Sequence, residues 1–154
     1  MIVDERLVTY INSLDTGNTE ILDQIEKEAI AAYVPIIRKE MQSFLKLLLA
    51  MQKPMRILEV GTAVGFSAIL MAQYAPADCK IVTIENYEKR IPVAKENFKR
   101  AGKDEQITLL EGDAMQILPT LSGEFDMIFM DAAKGQYINF MPDILRLLKS
   151  GGVL

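Results

Sequence analysis

Between positions 4 and 52 the apolar residues recur three and four apart, the period of a helix with one buried face. Asp4 to Leu14 reads as a short amphipathic helix, broken by the Gly17-Asn18 turn signal. Asn18 is placed to cap a second helix running to about Tyr33, with Ile21, Leu22, Ile25, Ala29 and Ala32 on one stripe. Pro35 interrupts it. A third helix follows from about Ile36 to Met51, with Ile37, Met41, Phe44, Leu45, Leu48 and Leu49 at helical spacing, and Lys53-Pro54 closes the helical region.

From Met55 the pattern changes to short apolar runs alternating with amphipathic ones. Strands are expected at Arg56 to Val60, Lys80 to Ile84, Gln106 to Leu110 and Phe125 to Met130. The last is apolar at nearly every position, as a strand buried on both faces should be. Helices are expected at Phe66 to Tyr74, Tyr87 to Ala101 with Gly102 just past its end, Ala114 to Leu121 despite Pro119, and Lys134 to Lys149. Gly151-Gly152 then leads into Val153-Leu154, the start of a fifth strand. This succession predicts an α/β fold: a mostly parallel, Rossmann-like sheet with helices on both faces. It forms one domain, with residues 1–53 as an N-terminal helical cap and 54–154 as the core. Ligands of such sheets bind beyond the carboxyl ends of the strands, so the informative loops follow Val60, Ile84, Leu110 and Met130.

Composition narrows the chemistry. The chain has 154 residues, half of them hydrophobic, and a net charge of −4. Its acidity argues against a generalised nucleic-acid surface. A single cysteine, Cys79, cannot form an intramolecular disulfide, and with no signal-like N-terminus a cytoplasmic protein is expected. No apolar run approaches the roughly 18 residues that span a bilayer. Histidine is absent, so any general base must be a carboxylate, lysine, tyrosine, thiol or metal-bound group.

Each loop has a functional reading and a plainer one. In Glu59-Val60-Gly61-Thr62-Ala63-Val64-Gly65 the glycines permit positive φ and close approach of a ligand, or simply a tight turn. Ala63 breaks the G-x-G-x-x-G spacing of a dinucleotide cradle. Glu85 at a strand end can accept from both hydroxyls of a ribose, or is an exposed acid. Asp113 can accept from an adenine amino group while the Ala114 amide meets a ring nitrogen, or it caps the next helix. Asp131 is placed for a metal ion and Lys134 for a substrate hydroxyl, or the pair is a helix cap and a solvated lysine.

Taken together, Leu58-Glu59-Val60-Gly61-Thr62-Ala63-Val64-Gly65-Phe66-Ser67, Gly112-Asp113-Ala114 and Asp131-Ala132-Ala133-Lys134-Gly135-Gln136-Tyr137 resemble the metal-dependent O-methyltransferases related to catechol and caffeoyl-CoA O-methyltransferases. Val34-Pro35-Ile36 and Ile84 to Arg90 are most similar to the bacterial branch that methylates 5-hydroxyuridine at the tRNA wobble position. The resemblance implies S-adenosylmethionine (SAM) as methyl donor and magnesium or another divalent cation as cofactor. It implies that Ile37 and Ser67 contact SAM, Gly61 and Thr62 line its methionine end, Glu85 holds the ribose, and Asp113 and Ala114 address the adenine. Asp131 would lie near SAM and ligate the metal, and Lys134 would be the general base. A homodimer and a hydroxylated acceptor, tRNA or a small catechol-like or CoA-linked molecule, are implied as partners.

Members of that family carry an Asp-Asn pair at the end of the fifth strand, and two further strands. Here the sequence stops at Leu154, which leads to the expectation of weak or no turnover by this chain and an exposed fourth-strand edge. Lys95, Lys99 and Lys103, with Lys89, Arg90 and Arg100 nearby, form a stripe that could meet RNA phosphates or be a solvated helix face. A non-catalytic SAM-binding module and an NAD-binding domain are the competing functions.

Overall fold

The computed structural model describes residues 4–132 and 134–154. Three helices come first: α1 (Glu5–Ser13), α2 (Glu20–Ala31) and α3 (Lys39–Gln52). Strands and helices then alternate: β1 (Arg56–Val60), α4 (Phe66–Tyr74), β2 (Lys80–Glu85), α5 (Ile91–Arg100), β3 (Ile107–Glu111), α6 (Ala114–Ile117), β4 (Phe125–Met130), α7 (Tyr137–Leu147) and β5 (Leu148–Val153). The five strands pair in the order β3-β2-β1-β4-β5, all parallel. The expected α/β class is therefore the observed one.

Alternate residues of each central strand serve opposite faces. Ile57, Ile81 and Met127 join Leu22, Ile25, Leu45, Leu49, Ile69 and Phe98 in one core, beneath α2, α3, α4 and α5. Leu58, Ile84 and Ile128 join Leu118, Phe140, Ile144 and Leu147 in a second core, beneath α6 and α7. Helices on both faces thus follow from strands that are apolar on both sides, and α2 and α3 share the first core.

Several boundaries differ from expectation. Asn18 does not cap α2: Thr19 occupies that position, and the Asn18 amide donates instead to Gln42 Oε1 at 2.8 Å. α3 starts at Lys39 rather than Ile36, leaving an irregular segment after Pro35. α5 starts at Ile91, with Pro92 in its first turn, because residues 86–90 form the loop around Glu85. Pro119 converts the end of the helix after Asp113 into a 3₁₀ turn, Leu118–Thr120. Residues 134–136 form another 3₁₀ turn ahead of α7, which ends at Leu147. β5 therefore begins five residues earlier than expected. It covers β4, pairing Phe125 with Leu148 and Met127 with Val153 across an irregularity, so the edge of β4 is not open.

Part of the basic stripe is engaged within the fold. Lys95 pairs with Glu111 at 2.5 Å, Arg100 with Glu28 of α2 at 2.7 Å, and Lys103 donates to the Ala72 carbonyl at 3.0 Å. No described helix is long and apolar enough to cross a membrane.

Candidate functional site

Four loops meet at the carboxyl edge of the sheet and are joined there by backbone bonds. Gly61 N–H donates to the Ile84 carbonyl, Gly112 N–H to Glu85, and Asp131 N–H to Val60, at 2.9 to 3.0 Å. Above them lies a cleft of about 1230 Å³, walled on one side by residues 35–38 and the start of α3. Ile37, Gly61, Thr62, Ser67, Glu85, Asp113, Ala114 and Asp131 all line it. The side chain of Lys134 lies outside the described residues.

Gly61 and Gly65 have positive φ, 101° and 86°. Their missing side chains face protein and not a ligand. A Cβ on Gly61 would lie 2.6 Å from the Asp131 carbonyl oxygen, and one on Gly65 2.6 Å from the Phe98 ring. The glycines let the first loop settle on β4 and α5, and the cleft is a consequence. Ala63, between them, holds φ 49° while its N–H donates to Glu85 Oε2 at 2.7 Å.

Glu85 is buried, and its other oxygen accepts from the N–H groups of Asn86 and Tyr87 at 3.0 and 2.9 Å. Three of roughly four acceptor positions on the carboxylate are thus filled by backbone. A ribose can take the remaining position directly. A grip on both hydroxyls requires one backbone N–H to yield.

Asp113 is the helix cap of the plainer reading: Oδ1 accepts from Met115 N–H at 2.9 Å. Capping uses one oxygen. Ala114, at the first position of α6, has an amide with no intrahelical acceptor. Cap and ligand contact are compatible here.

Thr62 lines the cleft through its backbone, since its side chain turns inward to the Thr83 hydroxyl. Thr83 in turn donates to Glu59 Oε2 at 2.5 Å, and Ser67 donates to Glu59 Oε1. Glu59 is fully buried. Burial, opposed by those two hydroxyls and reinforced by the negative charges of Asp131 and Glu85, pushes its pKa up to about 7. Because the Ser67 hydrogen points at Glu59, Ser67 presents only acceptor lone pairs to the cleft. Sequence reasoning quoted Glu59 without giving it a role. The available signal was an acid inside the apolar run Ile57-Leu58-Glu59-Val60.

Asp131 is exposed at the cleft. Tyr137 donates to the Met130 carbonyl at 2.9 Å, and its pKa is raised by burial and by Asp131. Among the described residues no three His, Cys, Asp or Glu side chains converge on a point. Glu59 and Glu85 are already committed, so Asp131 is a single carboxylate. Asp131 could hold a divalent cation only with water or substrate oxygens completing its shell.

Residues 12–154 match the family model for O-methyltransferases. A catechol O-methyltransferase of Niastella koreensis is 39% identical over 115 residues, covering 72% of this chain and 52% of the relative. One of Mycobacterium tuberculosis is 34% identical over 148 residues, covering 94% of this chain and 67% of the relative. This chain thus spans about half to two thirds of the length of these relatives. An O-methyltransferase of Streptomyces achromogenes involved in tomaymycin synthesis, solved in complex with SAM, superposes with a TM-score of 0.86 at 30% identity. The match covers 99% of this chain and 73% of that one.

Proposed function

The chain belongs to the O-methyltransferase family, and we propose that it forms the donor-binding part of an enzyme that moves a methyl group from SAM to a hydroxyl of a small acceptor. The observation that carries this is that the eight residues implied by the family resemblance line one cleft at the carboxyl edge of the sheet. The SAM complex of the Streptomyces relative and the catechol activity named for two others support the donor and the acceptor class.

In this reading Glu85 accepts from a ribose hydroxyl. The free oxygen of Asp113 and the Ala114 amide address the adenine edge. Ser67, its hydrogen held by Glu59, accepts from the ammonium of the methionine end, which the Gly61-Thr62 backbone lines. Asp131 places negative charge near the sulfonium and is a candidate metal ligand. Transfer breaks the bond from sulfur to methyl carbon and forms one from acceptor oxygen to that carbon. Lys134 is the candidate to take the acceptor's proton. The protein contributes chiefly by holding donor and acceptor in line.

The small acceptor is preferred over tRNA because two relatives are named for catechol, and because Arg100 and Lys103 of the basic stripe are tied to Glu28 and the Ala72 carbonyl. Incubation with methyl-labelled SAM, offering catechol and tRNA separately, tests this. Slow labelling of the catechol ether, and none of tRNA, is expected. Label in tRNA and not in catechol contradicts the acceptor class.

A further inference from the structure

One wall of the cleft is not regular structure. Residues 35–38 run between the two helices α2 and α3, and Pro35, Ile36, Ile37 and Arg38 line both the cleft and a second hollow of about 860 Å³ on their far side. The side chains of Ile36 and Ile37 pack against the first core, and the backbone between them and α3 is held by Gln42, in the first turn of α3. Its side chain is buried, and both of its amide N–H groups and one acceptor position of its oxygen are used. The amide nitrogen donates to the Ile37 carbonyl at 3.0 Å and to Glu26 Oε1 at 3.0 Å. The amide oxygen accepts from Asn18 at 2.8 Å. Glu26 is held in turn by Lys39 at 2.6 Å.

The bond to Ile37 sets more than one atom. In a trans peptide the carbonyl and the following N–H point in opposite directions. Fixing the Ile37 carbonyl on Gln42 therefore turns the Arg38 N–H away from the buried network. One side-chain amide thus orients the Ile37–Arg38 peptide at the entry into α3, where the Arg38 carbonyl accepts from the Gln42 backbone N–H at 2.9 Å. Among the described residues neither Ile37 nor Arg38 gives its N–H to a protein acceptor.

We infer that Gln42 is a positioning residue for the methyl donor, holding the Ile37–Arg38 peptide as a pre-ordered wall of the SAM cleft. This rests on the proposed SAM reading of the cleft. Gln42 touches no ligand itself. Its effect is that the wall is ordered before the donor arrives, so binding does not have to order it.

The test compares SAM affinity by titration calorimetry in wild type, Gln42→Met, Gln42→Glu and Asn18→Ala. Gln42→Met keeps the length and removes both donors. Gln42→Glu keeps the shape and the acceptor for Asn18 but, when ionised, cannot donate to Ile37. Asn18→Ala removes support from the same amide without touching its bond to Ile37. Folding of each is checked by thermal melting. The two Gln42 variants are expected to bind SAM about tenfold or more weakly, as loss of a buried hydrogen bond allows. Amide hydrogen exchange at residues 38–41 should be faster in both. Asn18→Ala should melt earlier yet bind SAM within about twofold of wild type, on the same scale. Should Gln42→Met fail to fold, Gln42→Glu decides. Wild-type affinity in a folded Gln42 variant overturns the inference, as does an Asn18→Ala variant that loses affinity to the same degree. A wild-type protein that does not bind SAM refutes the functional reading, and the inference with it.

Discussion

Glu59 is the residue whose environment departs most from water. Its folded pKa of about 7 stands above the ordinary carboxylate value of 4.5. A raised acid binds its proton more tightly when folded, so the native state holds more protons than the unfolded chain between those two values. Stability therefore falls as pH rises from about 4.5 to about 7 and then levels, by at most on the order of 3 kcal/mol. Urea denaturation at pH 5 and pH 8 should show this loss in wild type and much less of it in Glu59→Gln. Parallel profiles would remove Glu59 as the cause. Gly61 and Gly65 give a second residue-scale prediction. Gly61→Ala presses on the Asp131 backbone and Gly65→Ala on the Phe98 ring. Both should destabilise, Gly61→Ala by about 1 kcal/mol more, since backbone yields less readily than a side chain. Equal urea midpoints for the two variants would contradict this. At this scale the sequence revealed which residues meet at the cleft but not which way they face. The spacing of Gly61 and Gly65 says that positive φ is needed, whereas the neighbours that forbid a side chain, Asp131 and Phe98, are set by tertiary packing.

Asp126 ties three strands together. Its carboxylate accepts from the N–H groups of Met55 and Arg56 at the start of β1, at 2.9 and 3.0 Å, and from Lys149 in β5 at 3.0 Å. The Lys149 bond, and then the two backbone bonds, hold its pKa below the usual carboxylate value. A depressed acid contributes stability above its unfolded pKa and loses it as pH falls through the folded one. Asp126→Asn should cost about 1–2 kcal/mol at neutral pH and flatten part of the acid transition. An unchanged acid midpoint would contradict this. Glu85 plays a similar part at the other end of the sheet, holding the Ala63 loop to the Asn86-Tyr87 turn. Glu85→Ala should weaken SAM binding by about tenfold or more, loosening two loops as well as removing a ribose acceptor. Element type was legible throughout, because the change from helical to strand period at Met55 is sharp. Element ends were not, wherever a tertiary bond overrode the local signal. Asn18 has the chemistry of a cap but is taken by Gln42, and Tyr87 lies in a helical pattern but its amide is taken by Glu85.

At the scale of the molecule, the order β3-β2-β1-β4-β5 puts β1 between the two directions in which the sheet grows, and the cleft opens at its carboxyl end. That placement was legible from the alternation of elements alone. The fate of the lysine stripe was not, because its partners Glu28, Ala72 and Glu111 come from elsewhere in the fold. With those groups engaged and a net charge of −4, tRNA affinity should be weak and show no steep dependence on salt. A steep negative slope of affinity against salt concentration would restore the RNA reading. Calorimetric titration of the wild-type protein with SAM, and separately with NADH, decides whether the cleft receives SAM. One SAM should bind saturably per chain, with no heat of binding from NADH. Saturable NADH binding with none for SAM would contradict this.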